Sequence, residues 1–206
     1  MYDFKQLKIE IILATTPEGE IGYKNTIPWR LNGDLNRFKR LTMGNIVIMG
    51  RNTYESLPAP LEGRTVIVVS ETLAKNKYDP ELGNSICFVP FLETALVLCD
   101  GIAKQRKVFI AGGVRLYEEA LTLPNTIVHL TTVYKKSENG YDAQIKNFNL
   151  SNFVLTDEPK VVYEINRQTH MLNISHTYST YKSKGLHLDE QANKRMDNAN
   201  VIMEGG

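Results

Sequence analysis

Short apolar runs rich in branched residues recur along the chain: KIEIILAT, NIVIMG, TVIVVS, SICFVP, KVFIAGG and TIVHLTTV. Between them lie DLNRFKRLTM, NTYESLP, LETALVLCD and VRLYEEAL, whose apolar positions return every three or four residues. The two spacings mark strands and helices in alternation. Strand, helix, strand in that order predicts an α/β sheet, largely parallel and covered on both faces. After residue 150 the pattern shifts to NFVLTDEPKVVYEINRQ and HMLNISHTYSTYKS, extended stretches joined by polar residues that predict antiparallel strands closing the sheet. Residues 185–206 have no clear period, so a folded domain over 1–184 followed by a weakly ordered extension or short surface helix is expected.

One position disturbs the helical pattern. Leu31, Leu35, Phe38 and Leu41 share a helix face by spacing, and Asp34 falls between Leu31 and Phe38 in the same register. A carboxylate among apolar residues needs a partner.

In parallel sheets ligands gather at the carboxyl ends of the strands, and four of those ends are unusual here. The first strand runs into TTPEGEIGYKNTIPW, a loop long enough to be a lid. Its closing Pro28 and Trp29 equally suit plain packing of the loop against the next helix. The second strand ends in MGRNTYESLP: Gly50 permits close backbone approach, Asn52 or Thr53 could cap the following helix, and Arg51 beside a helix start makes an anion site. Arg64, after the glycine turn in LEGRTVIVVS, reads either as solvated surface or as a bidentate carboxylate clamp. VFIAGGVRLYEEAL places two glycines at a strand-to-helix switch, either a tight turn or a phosphate cradle.

Composition narrows the class. With 206 residues, 42% hydrophobic and 23% charged, the chain fits one globular domain with a tail. A formal net charge of +1 gives no sign of a nucleic-acid partner, and the basic run at 135–137 reads as solvated loop. Cys87 and Cys99 lie in apolar runs and read as reduced core thiols of a cytoplasmic protein. No apolar stretch reaches membrane-spanning length, and Glu10 interrupts the apolar N-terminal run, so a soluble, unexported protein is expected. The histidines at 129, 170, 176 and 187 have no ligand spacing, and no metal is expected.

Taken together, IGYKNTIPW, the acid in LNGDLNRFK, IVIMGRNTYESLP, PLEGRTVIVVS, VFIAGGVRLYEEAL and HLTTV resemble dihydrofolate reductase in order and spacing, over about residues 8–182. The resemblance implies one domain with a central, mostly parallel eight-stranded sheet, an antiparallel C-terminal hairpin and about four flanking helices. It also implies NADPH-dependent reduction of 7,8-dihydrofolate to tetrahydrofolate, which supplies one-carbon carriers for thymidylate and purine synthesis. A cytoplasmic monomer with antifolates as further ligands is the family expectation.

Carried over residue by residue, the resemblance makes Asp34 the pterin anchor, with Thr131 fixing it and Ile27 and Trp29 completing the catalytic group. Leu35, Phe38, Leu57 and Leu61 would line the pterin and benzoyl pocket, with Ala111 beside the pterin. Arg64 would hold the glutamate α-carboxylate. Ala14, Ile21 and Gly22 would border the nicotinamide. Gly50, Arg51, Asn52, Thr53 and Ser70 would hold the phosphates. Gly112 and Gly113, which the family joins by a cis peptide, would approach the cofactor with Val114, Arg115, Leu116 and Tyr117.

Three departures stand out. Glu71 brings an acid near the expected 2′-phosphate, Ala111 is smaller than the usual branched residue, and SENGYDAQI keeps Asp142 but lacks the usual aromatic-proline ending, leaving loop gating open. Two alternatives remain: a related NADPH-dependent pyrimidine reductase, against which Asp34 and Arg64 discriminate, and a reductase fold kept as a binding component attached through its tail.

Overall fold

The computed structural model describes residues 7–31, 33–75, 86–135, 140–165, 170 and 172–185. The expected extension beyond residue 185 lies outside them. The first half of the chain forms β1 (Ile9–Thr15), β2 (Glu20–Gly22), α1 (Asp34–Thr42), β3 (Ile46–Gly50), α2 (Arg51–Glu55), β4 (Thr65–Val69), α3 (Glu71–Lys75) and β5 (Ile86–Val89). The second half forms α4 (Leu92–Ile102), β6 (Val108–Ile110), α5 (Val114–Ala120), β7 (Thr126–Val133), β8 (Ala143–Gln144), β9 (Phe153–Leu155), β10 (Lys160–Ile165) and β11 (Leu172–Ser183).

The main sheet follows the order β10-β11-β7-β1-β6-β3-β4-β5, with β9 added beside β11. All neighbours from β7 to β5 are parallel, and β11 turns antiparallel against β7, β9 and β10. The expected sheet and closing hairpin are therefore present. Eight strands form the continuous path of the sheet, as expected, and the three-residue β9 docks on the end of β11 as a ninth. Five helices are present among the described residues where about four were expected, and two of them, α2 and α3, are only five residues long.

β1 is central and nearly all buried, so its two faces divide the core. Ile9, Ile11 and Leu13 join α4 and α5 on one side through Leu92, Leu96, Cys99, Leu116 and Ala120. Ile12 faces the other cluster with Val47, Met49, Val66, Val68 and Phe109, against which Phe38 and Leu41 of α1 and Tyr54 of α2 pack. A strand buried on both faces has no polar side to alternate with, which is why these runs read as continuous apolar stretches.

The reading of α1 needs correction. Gly33, in the left-handed region at φ 88°, ends the incoming loop, so the helix starts at Asp34 and Leu31 precedes it. Asp34 thus occupies the first turn, where the helix dipole favours an anion, and Leu35 is 72% exposed rather than part of a core-facing stripe. The long loop after β1 is partly ordered by pairing of β2 with β8. Both cysteines are free, and burial pushes the Cys99 thiol up to about 12, as expected for an inert core thiol. His129 and His176 lie in strands and His170 is exposed, while His187 is outside the described residues.

Candidate functional site

The carboxyl ends of β1, β3, β4 and β6 converge with the starts of α1, α2 and α5 on one cleft of about 770 Å³. That volume lies in the upper part of the range for small-molecule and cofactor pockets. Its walls include Ala14, Ile21, Gly22, Ile27, Asp34, Leu35, Phe38, Leu57, Ala111 and Thr131 on one stretch. Gly50, Arg51, Asn52, Thr53, Ser70 and the run from Gly112 to Tyr117 form the other.

Among the described residues that line the cleft, Asp34 is an acid held by a strand residue. The hydroxyl of Thr131, 2% exposed on β7, donates to Asp34 Oδ1 at 2.9 Å. That bond fixes the carboxylate at the wall while leaving it open to the cleft.

The two glycines answer their question by geometry. The Gly112–Gly113 peptide is cis, as the resemblance implied, and Gly112 has φ +107°. A Cβ at Gly112 would come 3.2 Å from the Tyr117 ring, so both conformation and space require glycine there. Gly50 N–H donates to Gly112 carbonyl at 2.7 Å, tying the ends of β3 and β6 together. Tyr117 donates its hydroxyl to the Ile12 carbonyl at 2.9 Å, and burial holds its phenol far above the ordinary range, so it remains a neutral donor.

Cation and acid alternate at the mouth. Arg51, at the start of α2, is 3.9 Å from Glu55, and Arg115 is 3.7 Å from Glu71. Glu71 therefore does not stand alone against an incoming anion. The expected Asn52 or Thr53 cap is absent: α2 begins at Arg51 with Gly50 as N-cap and no side-chain cap bond, so both residues lie inside the helix rather than before it. Ser70 Oγ instead accepts the Leu73 N–H at 3.2 Å at the start of α3.

Three expected residues lie off the cleft wall. Trp29 is buried at 9% exposure, with its ring 6.0 Å from Tyr141 and its Nε1 without a hydrogen-bond partner among the described residues. Leu61, half-buried, packs against the cluster that includes Val47, Met49 and Phe109. Arg64 donates to the Glu62 carbonyl at 3.2 Å and to Thr42 Oγ1 at 3.3 Å, with its guanidinium 5.9 Å from the Phe38 ring. It therefore stands beside the pocket's aromatic wall rather than in it. The loop carrying Ile27, which is 58% exposed, is pinned where Lys24 N–H donates to Asp142 Oδ2 at 2.8 Å. Asp142 also lines the cleft.

Sequence reasoning missed Met49, Ser56, Val69, Pro90 and Phe91, all on the cleft wall. Pro90 and Phe91 follow β5, a further parallel strand whose carboxyl end the same switch rule covers.

Comparison with known proteins places the fold among the dihydrofolate reductases. The family model described as dihydrofolate reductase matches residues 8–183, and the chain belongs to that family. Dihydrofolate reductase type 8 of Escherichia coli is 37% identical over 182 residues, covering 87% of this chain and 98% of that protein. The bifunctional dihydrofolate reductase-thymidylate synthase of Paramecium tetraurelia is 32% identical over 201 residues, 95% of this chain, which spans only 40% of that relative's length. A dihydrofolate reductase from Enterococcus faecalis, solved with NADP(H) and RAB-propyl, superposes with a TM-score of 0.67 at 24% identity, covering 86% of this chain and 96% of that one.

Proposed function

We propose that this protein reduces 7,8-dihydrofolate to 5,6,7,8-tetrahydrofolate with NADPH as hydride donor. The observation that carries the reading is the pairing in one cleft of the Thr131-held Asp34 with the cis Gly112–Gly113 peptide at the far wall. The first supplies an acceptor for the ring N–H and amino groups of a pterin. The second gives backbone approach with no side chain in the way.

The residues present fit a dinucleotide phosphate. Glycines 50, 112 and 113 leave main chain at the cleft surface, the α5 start follows the cis peptide, and Arg51 and Arg115 bring positive charge to the mouth. When bound, NADPH supplies the hydride; the protein's work is positioning and charge. Asp34 accepts hydrogen bonds from the pterin and holds it in orientation, with Thr131 preventing the carboxylate from swinging away. Phe38, Leu57 and Ala111 provide the apolar walls, and Ile27 with the β2–β8 loop restricts water. Arg64 beside Phe38 is suited to the glutamate carboxylate at the outer end.

No helix among the described residues is long and apolar enough to cross a membrane; a cytoplasmic monomer is part of the proposal. Loss of absorbance near 340 nm on mixing protein, NADPH and dihydrofolate tests the reading. Turnover with dihydrofolate sustains it. Turnover only with a pyrimidine intermediate, or none with cofactor bound, overturns it.

A further inference from the structure

β11 carries a line of polar side chains that the reaction above leaves unused. Tyr178 stands directly across from Thr131 in the β7–β11 ladder, and His176 across from Val133, so Tyr178, His176 and Thr131 share one sheet face. The Tyr178 hydroxyl and His176 Nε2 are 3.0 Å apart, with their rings edge to face at 4.9 Å. His176 is completely buried, and its Nδ1 lies 3.1 Å from Ser175 Oγ. Ser175 in turn bonds Glu164 on β10, which accepts Lys135 Nζ at 2.6 Å at the surface.

The inner end of this line reaches α1. A Cβ at Gly33, the residue before Asp34, would lie 3.8 Å from the Tyr178 hydroxyl. Arg37, less than one turn beyond Asp34, sets its guanidinium 4.8 Å over the Tyr178 ring. Tyr178 is thus wedged between the strand that holds Asp34 through Thr131 and the helix turn that presents it.

We propose that Tyr178, locked by His176, is a positioning residue for Asp34, fixing the first turn of α1 so that the carboxylate keeps its bond to Thr131 and faces the cleft. The protonation chemistry agrees with that role. Burial lowers the pKa of His176 and favours neutral imidazole, which has one acceptor for the Tyr178 hydroxyl and one donor for Ser175. Burial, with the charge of Asp34 next, raises the pKa of Tyr178 and keeps it a donor. The charged groups around the pair are Asp34, Arg37 and Arg40 on α1, Glu164 on β10 and Lys135 after β7. Phenylalanine at 178 would leave His176 Nε2 buried without its donor, and glutamine at 176 would keep an acceptor for the tyrosine.

The proposal rests on Asp34 as the pterin anchor, so its test reads turnover and binding separately. Full-length wild type, Tyr178→Phe, His176→Leu, His176→Gln and the Tyr178→Phe/His176→Leu double variant are compared by steady-state kinetics and by calorimetric titration with folate. Tyr178→Phe and His176→Leu are each expected to lower kcat/KM for dihydrofolate and folate affinity about tenfold, with KM for NADPH within twofold. The double variant should be no worse than the poorer single, and His176→Gln should retain most activity. Unchanged folate affinity, equal loss for both substrates, or additive effects would overturn the proposal. Thermal unfolding checks the fold, and if His176→Leu does not fold, Tyr178→Phe and His176→Gln still decide. A wild type that binds folate without turnover sinks the assigned reaction alone, because the affinity loss in Tyr178→Phe remains to be read. Binding of neither ligand refutes both.

Discussion

Two acids enter apolar surroundings in this fold, Glu10 in β1 and Asp34 at the start of α1, and the protein treats them oppositely. Glu10 is 2% exposed and both its oxygens are engaged: Lys107 Nζ lies 2.7 Å from Oε1, and His129 Nε2 lies 2.5 Å from Oε2. Burial opposes ionisation of Glu10, but the bonds from His129 and Lys107 outweigh it and hold the carboxyl below its ordinary range. Asp34 has one side-chain hydrogen bond, from Thr131, and no ion pair among the described residues. Glu10 is a buried acid completed by its own fold, whereas Asp34 is half-buried and bonded on one side at the wall of a cleft. Both burial and the number of satisfied oxygens separate the two.

The contrast breaks first on Asp34→Asn. Turnover at neutral pH should fall about a thousandfold, the scale of losing a group that organises charge and proton delivery, with recovery toward acid pH and little change in melting temperature. An undiminished rate would make Asp34 no different in kind from Glu10.

The reciprocal change, Glu10→Ala, should leave kcat within about twofold. It should cost about 2 kcal/mol of stability by stranding Lys107 and His129, read as a drop of several degrees in melting temperature. Acid titration sharpens the same point. The Glu10 carboxyl is lowered in the fold, so its contribution is fully present above its ordinary value of 4.5 and is lost as pH falls through the folded value. His176, also lowered, begins to cost stability earlier, as pH falls below its ordinary 6.5 and the unfolded chain takes up the proton first. Wild type should therefore weaken in two stages, and Glu10→Ala should shrink the lower one to the part that the Lys135-bonded Glu164 carboxyl, also lowered, contributes.

Smaller effects are expected at the edges of the cleft. Arg64→Leu should raise KM for dihydrofolate about tenfold with kcat nearly unchanged, since the guanidinium flanks Phe38 away from the reacting end. A loss confined to kcat would contradict that placement. Smallest is Glu71→Ser, expected to lower KM for NADPH two- to threefold at low salt, because freed Arg115 would meet the phosphate. An effect that persists at high salt would point away from that exposed pair.

How much of this was legible in the sequence follows from distance along the chain. Strand-helix alternation, the closing hairpin, the glycine pair and Asp34 itself are local patterns, and each was readable. Glu10 looked like a mere interruption of an apolar run because His129 is 119 residues away and nothing local announces it. The position of Asp34 in α1 was misplaced because three- and four-residue spacing continues through Leu31, and only the left-handed Gly33 ends it. Trp29 and Arg64 were legible as neighbours of the cleft from motif order, but that order does not show that both stand off its lining. In sequence His176 is only a histidine without ligand spacing and Tyr178 does not stand out, because alternating polar residues on such a strand look solvent-facing, whereas Arg37 and Gly33 of the α1 start stand over Tyr178 here.

Trp29 has a further use. It is the chain's only tryptophan, nearly buried, and 6.0 Å from Tyr141. Any change in how the loop carrying Ile27 lies against the segment carrying Tyr141 alters the surroundings of a single indole. The native chain thus contains an intrinsic fluorophore beside its cleft, with a neighbouring phenol to feed it excitation energy, and opening or closing of that loop is observable as emission from one residue without any label.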